Sequence, residues 1–110
     1  MSYVINGEEK EVDDYGFLLE PDYSEEAVKV IAAAEGVELT DNHWTIINYF
    51  RDKYREEGHT PNFRNFMKDM AEILPDVDSK AMYDLFPHDG PAKQAVKIAG
   101  LPKPYGKGGY

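Results

Sequence analysis

The 110-residue chain contains no cysteine. That absence excludes disulfides, thiolate metal centres and thiol nucleophiles together. Basic residues are scarce: 12 Lys and Arg stand against 21 Asp and Glu, a formal net charge of −9. A broad phosphate-neutralising surface is therefore not expected. No apolar run approaches the roughly 18 residues of a membrane span, and the N-terminus shows no basic-then-apolar leader. A cytoplasmic protein away from membranes is the expectation. The three histidines, His43, His59 and His88, fall at none of the helical spacings that build a zinc site, so no metal is expected. Gly106-Lys107-Gly108-Gly109 lacks the strand-to-helix setting of a phosphate loop, and no cofactor motif is present. Ser24 and Ser79, like Thr40 and Thr60, read as caps or turns, so no nucleophile constellation assembles and an enzyme is not expected.

What is present suits one small domain. Hydrophobic residues make up 42% and aromatics 13% of a length that supports a single core. Tyr3-Val4-Ile5, Asn6-Gly7 and Glu8 to Val12 predict a β-hairpin, because Asn-Gly accepts the positive φ angles of a tight turn. Ser24 caps a helix over 25–35, with Ala27, Val28, Ile31, Ala32 and Ala34 as its buried stripe and Gly36 as its stop. Thr40 caps a second over 41–57, where Trp44, Ile47, Phe50 and Tyr54 recur at helical spacing. Trp44 reads as a core anchor and His43 as a partner of the cap. Thr60-Pro61 predicts a third helix over 61–74, with Phe63, Phe66, Met67, Met70, Ile73 and Leu74 inward. Asp78 or Ser79 caps a short fourth. Pro91 opens a fifth that ends at Gly100 in a left-handed cap. Leu101-Pro102-Lys103-Pro104 is stiff and extended, so residues 101–110 read as an arm on a body of residues 1–100. The expected class is mainly α, with a small β component: an orthogonal bundle of about five helices with an N-terminal hairpin, a helix-turn-helix-like segment at 58–74 and a C-terminal arm.

Charge is unevenly spread along this chain. Residues 1–41 carry −10, residues 42–90 carry −3, and residues 91–110 hold Lys93, Lys97, Lys103 and Lys107 with no acid. A basic end on an acidic body favours an acidic partner surface.

Four stretches carry a family resemblance. F-P-H-D-G-P-A-K-Q-A-V-K-I-A-G-L-P-K-P-Y-G, from Phe86, resembles the C-terminal signature of the DsrC/TusE family. L-T-D-N-H-W-T-I-I-N-Y-F-R-D-K-Y and D-D-Y-G-F-L resemble further family motifs, as does P-N-F-R-N-F-M-K, so the likeness spans nearly the whole chain. Members are small sulfur-relay proteins associated with dissimilatory sulfite reductase or with tRNA thiolation. The resemblance implies a sulfur-carrying cysteine just after the Pro-x-Gly of the arm and, in two-cysteine members, another in the last helix. Here those positions are Lys107 and Val96. A protonated ammonium is a poor nucleophile and cannot hold sulfane sulfur, and valine is inert.

The expectation is a non-transferring, regulatory homologue. It would dock as a monomer on a sulfite-reductase or sulfurtransferase partner through Lys93, Lys97, Leu101, Pro102, Lys103 and Pro104. Arg64 and Lys68, four apart on one helical face, would shape the surface beneath the arm. Two alternatives are a helix-turn-helix DNA-binding regulator of sulfur genes, which the net charge disfavours, and a cysteine-replaced form of a persulfide-carrying relay protein.

Overall fold

A computed structural model describes residues 2–104. The chain opens with β1 (Ser2–Ile5) and β2 (Glu8–Glu11), paired antiparallel so that Ile5 faces Glu8 and Ser2 faces Glu11. Asn6 and Gly7 have φ of 52° and 78°, the two positive angles that this turn demands. The next segment folds back through an Asp13 turn, in which Asp13 Oδ1 accepts from the backbone N–H of Tyr15 and Phe17. That turn brings Leu18 opposite Val12 and drives Phe17 and Leu18 into the core.

Five helices follow among the described residues: α1 (Glu25–Glu35), α2 (Asp41–Glu57), α3 (Phe63–Ile73), α4 (Ser79–Leu85) and α5 (Pro91–Ile98). The expected mainly α class with an N-terminal hairpin is the one observed. α1 and α2 begin and end at the expected residues. Ser24 Oγ accepts from the Ala27 N–H at 3.1 Å, and Gly36 ends α1 in the left-handed region. Ala27, Val28, Ile31 and Ala32 form its buried stripe, whereas Ala34 points to solvent. α3 starts two residues later than expected, because Asn62 rather than Thr60 caps it, its side chain accepting from Asn65 N–H at 2.9 Å. Only Phe66 and Met70 of its apolar set are fully covered. Ile73, expected inward, is 47% exposed in the last turn. α4 is capped by Asp78.

α5 lies at the centre: α1, α2, α3 and α4 all pack against it. Seven of its eight residues are buried, Lys93 alone being half-exposed. Stacked Phe50 and Phe66, 4.8 Å between ring centroids, tie α2 to α3 across the same core. Trp44 only flanks that core. The buried residue at the start of α2 is instead His43, 4% exposed. Its Nδ1 faces the Thr40 backbone N–H at 3.0 Å, and its Nε2 lies 2.8 Å from the Leu85 carbonyl. An N–H can only donate and a carbonyl only accept, so the ring proton sits on Nε2. His43 thereby caps α2 and clamps the end of α4. No helix among the described residues is long and apolar enough to cross a membrane.

Candidate functional site

The site is built where α5 ends and the arm departs. Gly100 has φ of +78°, and the Leu101 N–H reaches back to the Val96 carbonyl at 3.3 Å, closing a Schellman turn. The Gly100 carbonyl accepts from the Asp22 N–H at 2.8 Å. A Cβ on Gly100 would come within 2.4 Å of the Asp22 carbonyl oxygen, so this position has neither the angle nor the space for a side chain.

Beneath that turn lies Arg51, only 5% exposed. Its Nε donates to the Ala99 carbonyl at 2.8 Å, and Nη1 donates to Tyr23 at 2.8 Å. Nη2 donates to the carbonyls of Asp22 and Ser24 at 3.1 and 3.0 Å. One guanidinium thus joins the C-terminal end of α5 to the loop that precedes α1, using the five-donor fork that only arginine has. Burial is the main influence pulling Arg51 below the usual guanidinium range, and neighbouring Arg55 adds repulsion. The Tyr23 ring lies beneath Arg55, whose guanidinium carbon is 4.2 Å from the ring centroid. Arg51 belongs to no sequence motif that marks it as functional. Its signal was present, because His43, Ile47 and Arg51 recur every fourth residue on the inward stripe of α2.

Further along α5 lies a second buried polar group. The Gln94 side-chain oxygen accepts from the His88 N–H at 2.9 Å, and its nitrogen donates to Glu35 at 3.1 Å. Lys97 Nζ lies 3.5 Å from the same Glu35 carboxylate and 3.9 Å from Asp89, above the Phe17 ring. Lys97 was expected on an exposed basic surface but is 6% exposed, because α5 is the central helix and its lysine stem lies along the core. Leu101, expected on the arm, is fully buried, so the exposed part of the arm starts at Pro102.

Pro102, Lys103 and Pro104 border a groove completed by Leu19, Pro21, Tyr54, His59 and Thr60. The Lys103 ammonium stands 3.9 Å from the centroid of the Tyr15 ring. Arg64 and Lys68 are exposed on α3 and do not line this groove. Val96 faces the core with no exposed surface. Lys107 lies outside the described residues.

Comparison with known proteins settles the family. The family model described as "DsrC like protein" matches residues 4–107. The chain belongs to the DsrC/TusE family of sulfur-relay proteins. It is 48% identical over 103 residues to a "Sulfurtransferase TusE homolog" of Haemophilus influenzae, covering 91% of this chain and 94% of that protein. It is 43% identical over 104 residues to the Escherichia coli sulfurtransferase TusE, covering 92% and 94%. Among solved structures it resembles Allochromatium vinosum DsrC, with a TM-score of 0.85 and 38% identity over 96% of each chain. It also resembles the oxidized gamma-subunit of the dissimilatory sulfite reductase from Archaeoglobus fulgidus. That match has a TM-score of 0.84 and 36% identity, over 96% of this chain and 98% of that one. This DsrC/TusE chain therefore shares the fold of the solved family members while lacking any thiol.

Proposed function

We propose that this chain is a recognition homologue of the sulfur-relay scaffold, one that binds a relay partner without carrying sulfur. The partner is a protein of the sulfite-reductase or sulfurtransferase kind, engaged through Pro102, Lys103, Pro104 and the residues beyond. Lys93 flanks that contact, and Arg64 and Lys68 offer a second basic surface on α3. Lys97 and Leu101 act from below, holding the arm's base in place. The observation that carries the proposal is the absence of cysteine from a chain otherwise built like the family. A docking surface needs only shape and charge, whereas a persulfide needs a thiolate, and none is present. Competition with a thiol-bearing member for one partner is the regulatory consequence. The DNA-binding alternative gains nothing from the exposed face of α3, where Arg64 and Lys68 share the helix with Asp69 and Glu72.

Two measurements test this reading. Intact mass after incubation with a persulfide-donating relay protein should show no added sulfur. A Lys107→Cys variant should gain one, because it supplies a thiol at the position where the family resemblance implies the carrier cysteine. Binding of the full chain to a purified sulfurtransferase-type partner should be lost on deleting residues 102–110. Equal binding by the deleted chain would remove the arm from the proposal.

A further inference from the structure

Beside the arm base, and sharing Lys103 with the Pro102–Pro104 groove, is a cleft of about 160 Å³. Tyr15, Phe17, Asp89, Lys93, Lys97 and Lys103 line it. Three lysines drawn from α5 and the arm therefore converge on one small space in a protein of net charge −9. The lining holds a single carboxylate, Asp89, whose side chain is 69% exposed.

The three ammonium groups differ in a useful way. Lys97 is fixed: its side chain is 8% exposed, held between Glu35 and Asp89 at 3.5 and 3.9 Å. Both separations exceed the roughly 2.7–2.9 Å of a strong charge-assisted hydrogen bond, so its donors are incompletely used. Lys93 and Lys103 have no carboxylate within ion-pair distance among the described residues. Lys103 is instead steadied on the face of Tyr15, which holds the cation at the cleft's edge without neutralising it. Phe17 walls the interior and keeps Lys97 partly out of water, where a charge interaction is stronger than in bulk solvent.

We infer that this cleft binds a small inorganic oxyanion of the sulfate or phosphate class, with Lys93, Lys97 and Lys103 as donors. A compact tetrahedral anion fits the volume and offers acceptors in several directions, matching donors that arrive from separate elements. The three lysines outnumber the neighbouring carboxylates Asp89 and Glu35, so a dianion's net attraction to the cleft is about twice that of a single carboxylate. The carboxylate of a partner's acidic side chain is thus the weaker candidate. Lys93 and Lys103 belong to the proposed docking surface as well, but anion binding needs neither the arm's far end nor a second protein.

The test uses the full chain and inorganic sulfate and phosphate, with chloride at matched ionic strength as control. Amide chemical-shift changes should saturate with a Kd on the order of millimolar, confined to Tyr15–Phe17, Asp89–Lys97 and Lys103. A Lys93→Gln/Lys103→Gln variant keeps the buried Lys97 and should fold normally, with binding weakened at least about tenfold. Three outcomes would overturn the inference. One is no saturation beyond the chloride control. Another is shifts spread equally over exposed lysines elsewhere, such as Lys29 and Lys80. The third is binding of an acidic peptide at this cleft with none by either anion.

Discussion

At the scale of single residues, the arm's position depends on two that no surface motif advertises. Gly100 combines a positive φ with a position where any Cβ would collide with the Asp22 carbonyl oxygen. Gly100→Ala should therefore cost about 2–3 kcal/mol, combining left-handed strain with displacement of the Asp22 loop, and chemical denaturation would measure it. Arg51 supplies donors to four carbonyls. Arg51→Met leaves buried acceptors unmet and should destabilise by about 3 kcal/mol in the same assay, a loss that Arg51→Lys does not recover, having no planar fork. Tyr49 gives a pH signature. Burial first, then its hydrogen bond to Asp69, raises its phenol well above the ordinary value near 10. A raised folded value means that this stabilisation is complete below about pH 10 and is lost as pH climbs through the folded value. Phenolate absorbance in alkali should show a late phase tied to unfolding, and Tyr49→Phe should remove that tyrosine's contribution to it.

Among the elements, α5 and the first arm residues form one unit with a sharp boundary. Seven of the eight α5 residues are buried, Leu101 has no exposed surface, and Pro102, Lys103 and Pro104 are each at least partly exposed. A chain ending after Leu101 should melt close to the full-length protein. One ending after Gly100 should lose about 2–3 kcal/mol, the cost of removing a fully buried leucine. Paired thermal melts followed by circular dichroism would separate these cases. Equal stability of the two truncations would mean that Leu101 belongs to the arm after all. The outer helices, α3 and α4, hold their places through few fully buried side chains: Phe66 and Met70 on one, Met82 on the other. Their capping residues Asn62 and Asp78 set where they start, and His43 joins α4 to α2.

For the whole molecule, the proposed docking makes charge asymmetry the main control on how fast a partner is met. An acidic body carries a basic end, since the last 20 residues hold four lysines and no acid. Association with an acidic partner surface should therefore slow as salt rises from about 50 to about 300 mM, with a smaller change in dissociation rate. Stopped-flow or surface-based kinetics at several ionic strengths would check this, and a salt-independent association rate would contradict a charge-guided arm.

By itself the amino-acid order determined the hairpin, the limits of α1 and α2, the family and the missing thiol. Each of these is written in local chemistry: an Asn-Gly turn, Ser and Thr caps, terminal glycines, a contiguous signature, a residue that is either there or not. Only the tertiary structure decided that α5 is the centre of the bundle, that Lys97 and Leu101 belong to the interior, and that Arg51 fastens the arm's root to the loop before α1. Those facts rest on groups brought together from distant parts of the chain, Arg51 with Ala99 and Glu35 with Lys97. An amphipathic pattern shows that a lysine shares a helix with apolar neighbours, but it does not show that four other helices will close around it.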